Sequence, residues 1–422
     1  MKVWILNHYA GEYYRDKAWR HYWIAKYLKR MGHEPVVFCS NAVHGSDGEL
    51  YYDTDELWHV HMAEEIGVPF VFVKSRPYAG NGKSRILNMV DFYRNTVRSA
   101  DGAVKRFGKP DVIYASSVHP LTLVAGIRIA RRYGIKCICE VRDLWPLSLV
   151  VFSGLKEGSL LTKLLYRGEH WIYRKADQLV FTFNGGKQYI LDQGWEKDVS
   201  LDKIHYINNG IDLDGYEEKV KTGAFPDEDL DGDAFKIVYA GAMGPPNQIN
   251  RIVDAAIELQ HRNVKGVRFI LFGAGMCRDE EEARCRAAGL SNVVFKGTIE
   301  KRRVPYALSR SDATIIMIED SVLQRYGTSE NKIFDYLAAK KPIICNDESI
   351  RSVVGDSDCV SVDGNVADAV EKVLHMDRAG YAHACQSAGA LVEKYAFETL
   401  TKRMLDVFEQ AKTDRGTVPA KL

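Results

Sequence analysis

Short apolar runs alternate with longer stretches of helical periodicity along the chain. Val3–Leu6 is followed by a helical pattern over Ala18–Met31 and then by a second apolar run over Pro35–Cys39. The same order returns in Ile113–Ala115, Leu121–Tyr133, Lys136–Glu140, Leu179–Phe183, Gly186–Gln193 and Ile204–Ile207. Strand–helix–strand alternation is typical of a mostly parallel sheet covered by helices on both faces.

The alternation breaks once and then restarts. Gly215–Ala234 is charged, poor in large apolar residues and interrupted by Gly223, Pro226 and Gly232, which predicts a linker. After it come Lys236–Tyr239, Ile249–Gln260, Val267–Phe272, Glu280–Ala288, Val293–Lys296, Val304–Ala307, Ala313–Met317 and Ile343–Cys345. We therefore predict two doubly wound α/β domains, residues 1–215 and 216–395, with ligand in the cleft between them. A helix over 396–412 is a candidate to cross back to the first domain.

Length and composition exclude several classes of protein but do not indicate a function. The 422 residues are too many for one ordinary core, and a net charge of +1 points to no nucleic-acid partner. The eight cysteines form no CxxC pair, so we expect core thiols rather than metal ligands or disulfides. No window holds about 18 consecutive apolar residues, and the first apolar run ends at Asn7, too early for a signal peptide. We expect a cytosolic protein.

The stretch Tyr326–Ile344 predicts a loop, a helix and a strand. Thr328 or Ser329 is expected to cap the helix, and Pro342 to end it. A helix start presents free N–H groups and a positive dipole end, which suits a phosphate. Lys332 in the first turn is unfavourable unless an anion lies beside it, and Asp335 is one turn further along. The stretch therefore predicts a site for a nucleoside diphosphate.

Two glycine-rich turns follow strands of the second half. Gly241–Asn247 precedes a helix, and its glycines would let the backbone approach a phosphate, although tight turns without a ligand use the same residues. Gly273 and Gly275 follow the next strand, but Arg278 replaces the third glycine of the dinucleotide fingerprint. A nicotinamide site is therefore not expected.

Three polar loops follow strands of the first half, at Asn7–Gly11, Ser116–Pro120 and Glu140–Pro146. Taken singly, a loop histidine is usually structural, and Arg142 and Asp143 would simply pair with each other. The carboxyl ends of parallel strands meet at one edge of a sheet, however, so these loops are expected to converge. Their candidate side chains are His8, Tyr9, His119, Arg142 and Asp143.

Three segments of the first half combine basic and apolar residues. Arg15–Arg30 has six basic residues and one acid, Lys83–Lys109 has seven and two, and Leu160–Tyr173 mixes leucines with Lys163 and Arg167. Such helices fit the surface of an anionic membrane, although ordinary core-facing amphipathic helices would look similar. RNA binding is a poorer fit, because no nucleic-acid motif accompanies them.

Taken together, these motifs resemble the retaining glycosyltransferases of family 4, which have the GT-B fold of two Rossmann-like domains. More narrowly, the chain is similar to the bacterial WbuB-like aminosugar transferases that build O-antigen, capsule and other surface polysaccharides. The matching segments run almost end to end and comprise Asn7–Ala10, Arg20–Tyr22, Gly32-His33, Gly80–Gly82, Arg85–Asn88, Ser116–Pro120, Val141–Pro146, Ile207–Asp212 and Tyr326–Pro342.

The resemblance implies a nucleotide-sugar donor, UDP-linked, held mainly by the second domain, and no metal or other cofactor. It assigns the diphosphate to Lys332 and the amides of Ser329–Asn331, and the ribose to Asp335. Further donor contacts are expected from Gly241, Gly244, Asn247, Gly273, Arg325, Ser329 and Asn331.

In the first domain, the resemblance places His119 near the transferred sugar. Asp143 and Arg142 would orient the acceptor hydroxyl, with His8 and Tyr9 in the acceptor site. The implied acceptor is a polyprenyl-diphosphate-linked saccharide at the inner face of the plasma membrane. With no pair of carboxylates around the sugar, retention implies front-face attack, in which the departing phosphate takes the acceptor proton.

The sequence also departs from the family pattern. Many members carry an Arg directly after the glycine that corresponds to Gly241 and a Lys a few residues later, where this chain has Ala242 and Gln248. The position of Asp335 is usually Glu, and Glu330 stands where close relatives often have Pro. The missing Arg and Lys keep open one alternative, a catalytically inactive donor-binding scaffold of a glycan assembly complex. A sugar-nucleotide epimerase of the same fold is a second alternative, because it would bind the same donor.

Overall fold

The computed structural model describes residues 1–16 and 19–413, which divide into two compact domains. Of the described residues, those up to Asn208 and Phe397–Thr413 form the first domain, and Asn209–Ala396 form the second domain. The division thus falls between Asn208 and Asn209, whereas the boundary predicted from the sequence was at residue 215.

The first domain is built on an eight-stranded sheet in the order β3-β4-β2-β1-β5-β6-β7-β8. All neighbouring pairs are parallel except β3–β4, which places an antiparallel strand at one edge. The strands are β1 Lys2–Leu6, β2 Glu34–Ser40, β3 Trp58–Ala63, β4 Val68–Val73, β5 Val112–Ser116, β6 Lys136–Val141, β7 Gln178–Phe181 and β8 Ile204–Tyr206. Most of their apolar side chains are buried, as a sheet covered on both faces requires.

Helices connect these strands and cover the sheet. They are α1 Tyr13–Asp16, α2 Arg20–Arg30, α3 Lys83–Phe107, α4 Pro120–Tyr133, α5 Trp145–Ser153, α6 Leu160–Lys175 and α7 Gly186–Asp192. Pro120 opens α4 and Gly134, in the left-handed region, ends it, which explains its close agreement with the predicted Leu121–Tyr133.

The second domain has a six-stranded, fully parallel sheet in the order β11-β10-β9-β12-β13-β14. Its strands are β9 Phe235–Ala240, β10 Val267–Phe272, β11 Val293–Gly297, β12 Ala313–Ile316, β13 Ile343–Cys345 and β14 Val360–Val362. The chain reverses direction across the sheet between β9 and β12, and ligands bind at such a switch point in open α/β sheets.

The helices of the second domain are α8 Tyr216–Thr222, α9 Glu228–Asp231, α10 Ile249–His261, α11 Arg278–Ala287, α12 Val304–Ser309, α13 Asn331–Ala338, α14 Arg351–Val354, α15 Val366–Leu374 and α16 Arg378–Val392. The prediction of a linker over Gly215–Ala234 is wrong, because α8 and α9 lie within it. Asp227 caps α9 by accepting from two backbone N–H groups, and its neighbour Asp229 pairs with Arg268 and Lys296. The charged residues of this segment therefore stabilise folded structure and do not indicate a linker.

The last described helix, α17 Phe397–Thr413, belongs to the first domain. Its buried positions recur three or four residues apart and form one apolar stripe, which packs against α2 and β6. Arg403 also donates to the Tyr206 carbonyl, at the end of β8. No helix within the described residues is long and apolar enough to cross a membrane.

Candidate functional site

Helix α13 begins without a side-chain cap. Its N-cap residue is Glu330, whose side chain accepts no capping hydrogen bond, so the expectation that Thr328 or Ser329 caps the helix is wrong. The Thr328 N–H instead donates to Ser352 Oγ at 3.0 Å, and the Ser329 carbonyl accepts from Asn209 Nδ2 at 2.8 Å. Both bonds fix the loop before α13 and leave the helix start uncapped, as an anion site requires.

The Lys332 ammonium lies beside this helix start and is largely buried, with 14% of its side chain exposed. Its Nζ donates to Asn247 Oδ1 and to Tyr239 Oη, the latter at 3.5 Å, and lies 3.4 Å from a Glu330 carboxylate oxygen. Two neutral oxygens and one acid therefore hold the charge in place. The structure thus brings together Lys332 and Asn247, both predicted donor contacts.

The two glycine-rich turns stack directly on each other. Gly241 donates to the Phe272 carbonyl at 3.0 Å, and Met243 donates to the Ala274 carbonyl at 2.8 Å. A Cβ on Gly273 would lie 1.8 Å from the Gly241 carbonyl oxygen, and one on Gly241 would lie 2.7 Å from Lys332 Cδ. Gly273 is therefore required for backbone packing beneath the site, whereas Gly241 makes room for the lysine side chain.

Asp335 lies half-buried one turn after the start of α13. Burial raises its pKa to about 6, and the opposing charge of Lys301 lowers it only partly. Tyr216, at the start of α8, has a buried hydroxyl that finds no hydrogen-bond partner among the described residues. Burial and, to a smaller extent, the Asp335 charge raise its pKa. The sequence analysis missed Tyr216 because it treated that segment as a linker.

The remaining predicted donor residues surround this centre. Arg325 is exposed, with its guanidinium 5.9 Å from the centre of the Tyr326 ring. Gly244 precedes the short turn Pro245–Asn247, which presents Asn247 to the lysine. At the positions of the family clamp, Ala242 is exposed and Gln248 adopts a left-handed backbone conformation at φ 43°.

In the first domain, His8 and His119 contact each other at the carboxyl ends of β1 and β5. His8 Nδ1 lies 2.6 Å from His119 Nε2, and both rings are buried. Burial lowers the pKa of His119 to about 3, with Arg85 contributing, and lowers the pKa of His8 well below its usual range. Both rings are therefore neutral near pH 7, and one ring donates a hydrogen bond to the other across this contact.

The second ring nitrogen of His119 takes no part in the contact with His8. This nitrogen, Nδ1, is buried and makes no hydrogen bond within the described residues. Native proteins rarely leave a buried polar atom unsatisfied, and such an atom is a natural contact for a ligand hydroxyl. The sequence predicted that the loops carrying His8 and His119 converge, and the structure brings the two rings into direct contact.

Tyr9 belongs to an aromatic cluster beside this pair. Its ring stacks on His44, with centroids 4.0 Å apart, and its hydroxyl accepts from Arg85 Nε at 3.2 Å. His44 Nδ1 is 2.7 Å from the Tyr78 hydroxyl. Sequence reasoning missed His44 and Tyr78, since nothing in the spacing of these loops signals contact with the loop after β1.

Glu140, at the end of β6, organises the same edge of the sheet. Its carboxylate pairs with Arg20 at 2.6 Å and accepts from Ser116 Oγ at 2.7 Å and from the Tyr114 hydroxyl. Burial alone would raise its pKa, but Arg20, His21 and Arg142 together outweigh burial and hold the pKa below its usual range. Arg20 also donates to the carbonyl of Asn208, the last residue before the chain enters the second domain.

Arg142 and Asp143 follow directly after β6. The Arg142 N–H donates to Ser117 Oγ at 3.0 Å, and Trp145 Nε1 donates to the Val118 carbonyl at 3.0 Å. These bonds tie the loop that carries Arg142 to the loop that carries His119. Asp143 is exposed, although surrounding protein raises its pKa and Arg142 opposes this effect. Within the described residues, no cluster of three or more His, Cys, Asp or Glu side chains could hold a metal ion.

Comparisons with known proteins identify the chain. A family model described as a glycosyl transferase 4-like domain matches residues 18–210, and one described as glycosyl transferases group 1 matches residues 234–377. The chain is a glycosyltransferase of the GT-B type. This confirms the fold class and the general activity that the sequence resemblance implied. No curated protein is significantly similar to the chain in sequence.

Solved structures share this GT-B fold over nearly the whole chain. Sucrose-phosphate synthase from Thermosynechococcus elongatus has a TM-score of 0.69 at 13% identity, covering 97% of this chain and 98% of that one. A UDP-forming α,α-trehalose-phosphate synthase from Burkholderia xenovorans has a TM-score of 0.71 at 11% identity, with 98% and 99% covered. HepE of Anabaena, in complex with UDP and glucose, has a TM-score of 0.64 at 13% identity, with 97% and 100% covered.

Proposed function

We propose that this GT-B glycosyltransferase transfers a sugar from UDP to a growing surface glycan with retention of configuration. An N-acetylated aminosugar is the proposed donor sugar, and a polyprenyl-diphosphate-linked saccharide the proposed acceptor. The observation that carries the proposal is the buried Lys332 ammonium beside the uncapped start of α13. A positive charge and the backbone amides of a helix start in one place suit a diphosphate leaving group.

The donor would bind to the second domain. Lys332 and the amides of Ser329–Asn331 hold the diphosphate in this proposal, and Asp335 accepts from the ribose hydroxyls. UDP is the proposed nucleotide because HepE is described in complex with UDP and the Burkholderia synthase as UDP-forming. Ribose hydroxyls that donate to Asp335 would stabilise its ionised form and so oppose the burial that raises its pKa.

The proposed reaction exchanges one bond at the anomeric carbon for another. The bond to the β-phosphate oxygen breaks, the bond to the acceptor oxygen forms on the same face, and the acceptor proton passes to the departing phosphate. Lys332 offsets the negative charge that grows on that phosphate. In the first domain, we assign His119 Nδ1 to a hydroxyl of the transferred sugar, and Arg142 and Asp143 to the acceptor hydroxyl. No metal takes part in this proposal.

A panel of nucleotide sugars tests the donor. A true donor stabilises the folded protein by mass action, so UDP-N-acetylaminosugars should raise the melting temperature more than UDP alone or GDP-sugars do. A shift with a GDP-sugar and none with any UDP-sugar would overturn the assignment.

UDP release then separates the rival functions. A transferase releases UDP in proportion to added lipid-linked acceptor and yields a longer glycan. An epimerase of the same fold would convert the donor without acceptor. The scaffold alternative draws on the exposed Ala242 and on Gln248 at the clamp positions, and it predicts donor binding with no UDP release under any condition.

Membrane attachment is part of the same proposal. A lipid-linked acceptor lies in a bilayer, and the basic amphipathic helices of the first domain are the proposed contact, at the inner face of the plasma membrane. The WbuB-like branch is the proposed place of the chain among these enzymes, on the collinear motifs of the sequence.

A further inference from the structure

Three segments of the first domain expose large apolar side chains. Helix α3 does so in its first turn, α5 near its end and α6 in its first two turns. The side chains are Ile86, Leu87, Phe152, Leu160, Leu161 and Leu164, which we call the apolar rim. Leu160 is 88% exposed, Leu164 64%, Ile86 60% and Phe152 54%. Isolated exposed leucines are ordinary, but three within the first two turns of one helix, Leu160, Leu161 and Leu164, are a candidate interaction surface.

The rim lies at the edge of the sheet that carries the candidate acceptor loops. Helices α3 and α6 lead into β5 and β7, and in a parallel sheet such helices start at the carboxyl ends of the strands. Helix α4 contacts both of them, so α3, α4 and α6 form one layer. The first turns of α3 and α6 therefore lie at the same edge of the sheet as His8 and His119.

Helix α5 adds to this surface. It spans Trp145–Ser153 and is apolar on nearly every side, yet only Pro146 and Leu147 in it are buried. A helix that is apolar all round normally lies in a core or against lipid. Its partial exposure in the first domain is consistent with a contact that forms outside the chain.

The segments that form the rim also carry exposed cations. Lys83, Lys156, Lys163 and Arg167 are all exposed, and none forms an ion pair within the described residues. Glu157 is the acid of the turn between α5 and α6. Leucines flanked by free lysine and arginine match the interface of an anionic bilayer, where apolar groups enter the acyl boundary and cations meet the headgroups.

A second copy of the chain is a poorer occupant of the same surface. In a two-fold dimer the same patch meets itself, so the four cations would face four identical cations. Like charges brought together in this way oppose association. Charge complementarity therefore favours anionic lipid.

We propose that the apolar rim docks the first domain on an anionic lipid surface, with Leu160, Leu161 and Leu164 entering the headgroup–acyl boundary. Docking at this edge would bring the candidate acceptor loops to the membrane plane. The docking surface itself is inferred from the exposed residues. Only the link to a membrane-anchored acceptor rests on the proposed function.

Vesicle sedimentation of the full chain tests the surface. We expect binding to phosphatidylcholine vesicles that contain phosphatidylglycerol, weaker binding at high salt, and little binding to phosphatidylcholine alone. The double variant Leu160→Ser, Leu164→Ser should bind at least tenfold more weakly, and Lys156→Gln, Lys163→Gln should lose most of the preference for anionic vesicles. Leu191→Ser, which changes an exposed leucine of α7, is the matched control and should bind as the wild type does.

The results also distinguish this proposal from the proposed function. Equal binding of the wild type and the leucine double variant, or equal partitioning onto neutral and anionic vesicles, would overturn the docking surface. So would a dimer in solution that the leucine substitutions dissociate, in a chain that binds no vesicles. Vesicle binding that requires the rim, in a protein that transfers no sugar to any acceptor, would refute the proposed function and leave the surface standing.

Discussion

Replacing Lys332 by methionine removes one positive charge while keeping a side chain of similar length. Because 14% of the lysine side chain is exposed, its charge acts in a partly dry environment. At an effective dielectric constant of about 20 and a separation of about 4 Å, a unit charge pair is worth about 4 kcal/mol. Glu330, at 3.4 Å from Nζ, offsets part of this stabilisation. We therefore expect the barrier for transfer to rise by about 2–4 kcal/mol, or roughly 30- to 1000-fold in rate.

Two further variants separate this role from a structural one. Glu330→Gln removes the acid beside the ammonium but keeps the ammonium itself. If Lys332 offsets leaving-group charge, Glu330→Gln should keep turnover near the wild-type value and bind the donor at least as tightly. Lys265→Met, at an exposed lysine of the second domain, controls for the loss of a lysine as such.

The assay is single-turnover transfer, with donor affinity measured separately by titration. A rate loss larger than the loss of donor affinity would show that the ammonium acts mainly in the transition state. Turnover like the wild type in Lys332→Met would refute the reasoning. So would equal rate losses in Lys332→Met and Glu330→Gln, since these would point to a pair that only holds the loop in place.

Three other substitutions give equally direct tests. Burial raises the pKa of Glu169 to about 7 despite bonds from Tyr173 and Tyr189 at 2.7 Å. The unfolded pKa is about 4.3, so about 3 kcal/mol of stability, present below that pH, is lost as pH rises to about 7. Urea unfolding should show Glu169→Gln without this decline; equal pH slopes would contradict it. Gly273→Ala should destabilise the second domain and weaken donor binding. Gly289→Ala, also at positive φ but in open space, is the control and should lower the free energy of unfolding by only about 1 kcal/mol. Equal melting temperatures of the two variants would count against the packing argument. Glu140→Gln should destabilise the first domain by about 3–5 kcal/mol, because Arg20 is left as an uncompensated buried charge. Chemical denaturation measures this loss of stability. A change below about 1 kcal/mol would show that the Arg20–Glu140 pair does not stabilise the domain.

The predictions from sequence succeeded where one local pattern determines the structure. The predicted strand Ile343–Cys345 has the same bounds as β13, because Pro342 and a short apolar run define it. The last helix was predicted over 396–412 and is found at Phe397–Thr413, since its apolar stripe has strict helical spacing. Both domains were recognised as parallel α/β folds from alternation alone.

Local patterns failed where distant residues decide the structure. Asp227 and Asp229 looked like linker charges, but Arg268 and Lys296 make them part of a folded unit. The helix cap was assigned to Thr328 or Ser329 from residue type, whereas their loop is held by Ser352 and Asn209. Sequence spacing does not report such partners.

The same limit applies to the site. Asn247 and Lys332 were both predicted to contact the donor, but no pattern indicates that they touch each other across 85 residues of sequence. His8 and His119 are separated by 111 residues, and only the fold shows that their rings are hydrogen-bonded to each other. The chemistry of a buried nitrogen or ammonium depends on its neighbours, which come from other strands.

The environment of Lys332 also bears on the missing clamp. In place of additional cations, this chain surrounds its lysine with the neutral oxygens of Tyr239 and Asn247 and the acid Glu330. Those groups fix the ammonium and, because Glu330 opposes its charge, leave the site close to neutral. A diphosphate that binds there must displace Glu330 or share the lysine with it, so donor affinity should depend on the charge at residue 330. A single preorganised ammonium with an uncapped helix start can stabilise a leaving phosphate without Arg and Lys at positions 242 and 248, because preorganisation rather than the number of cations determines how much transition-state charge is stabilised.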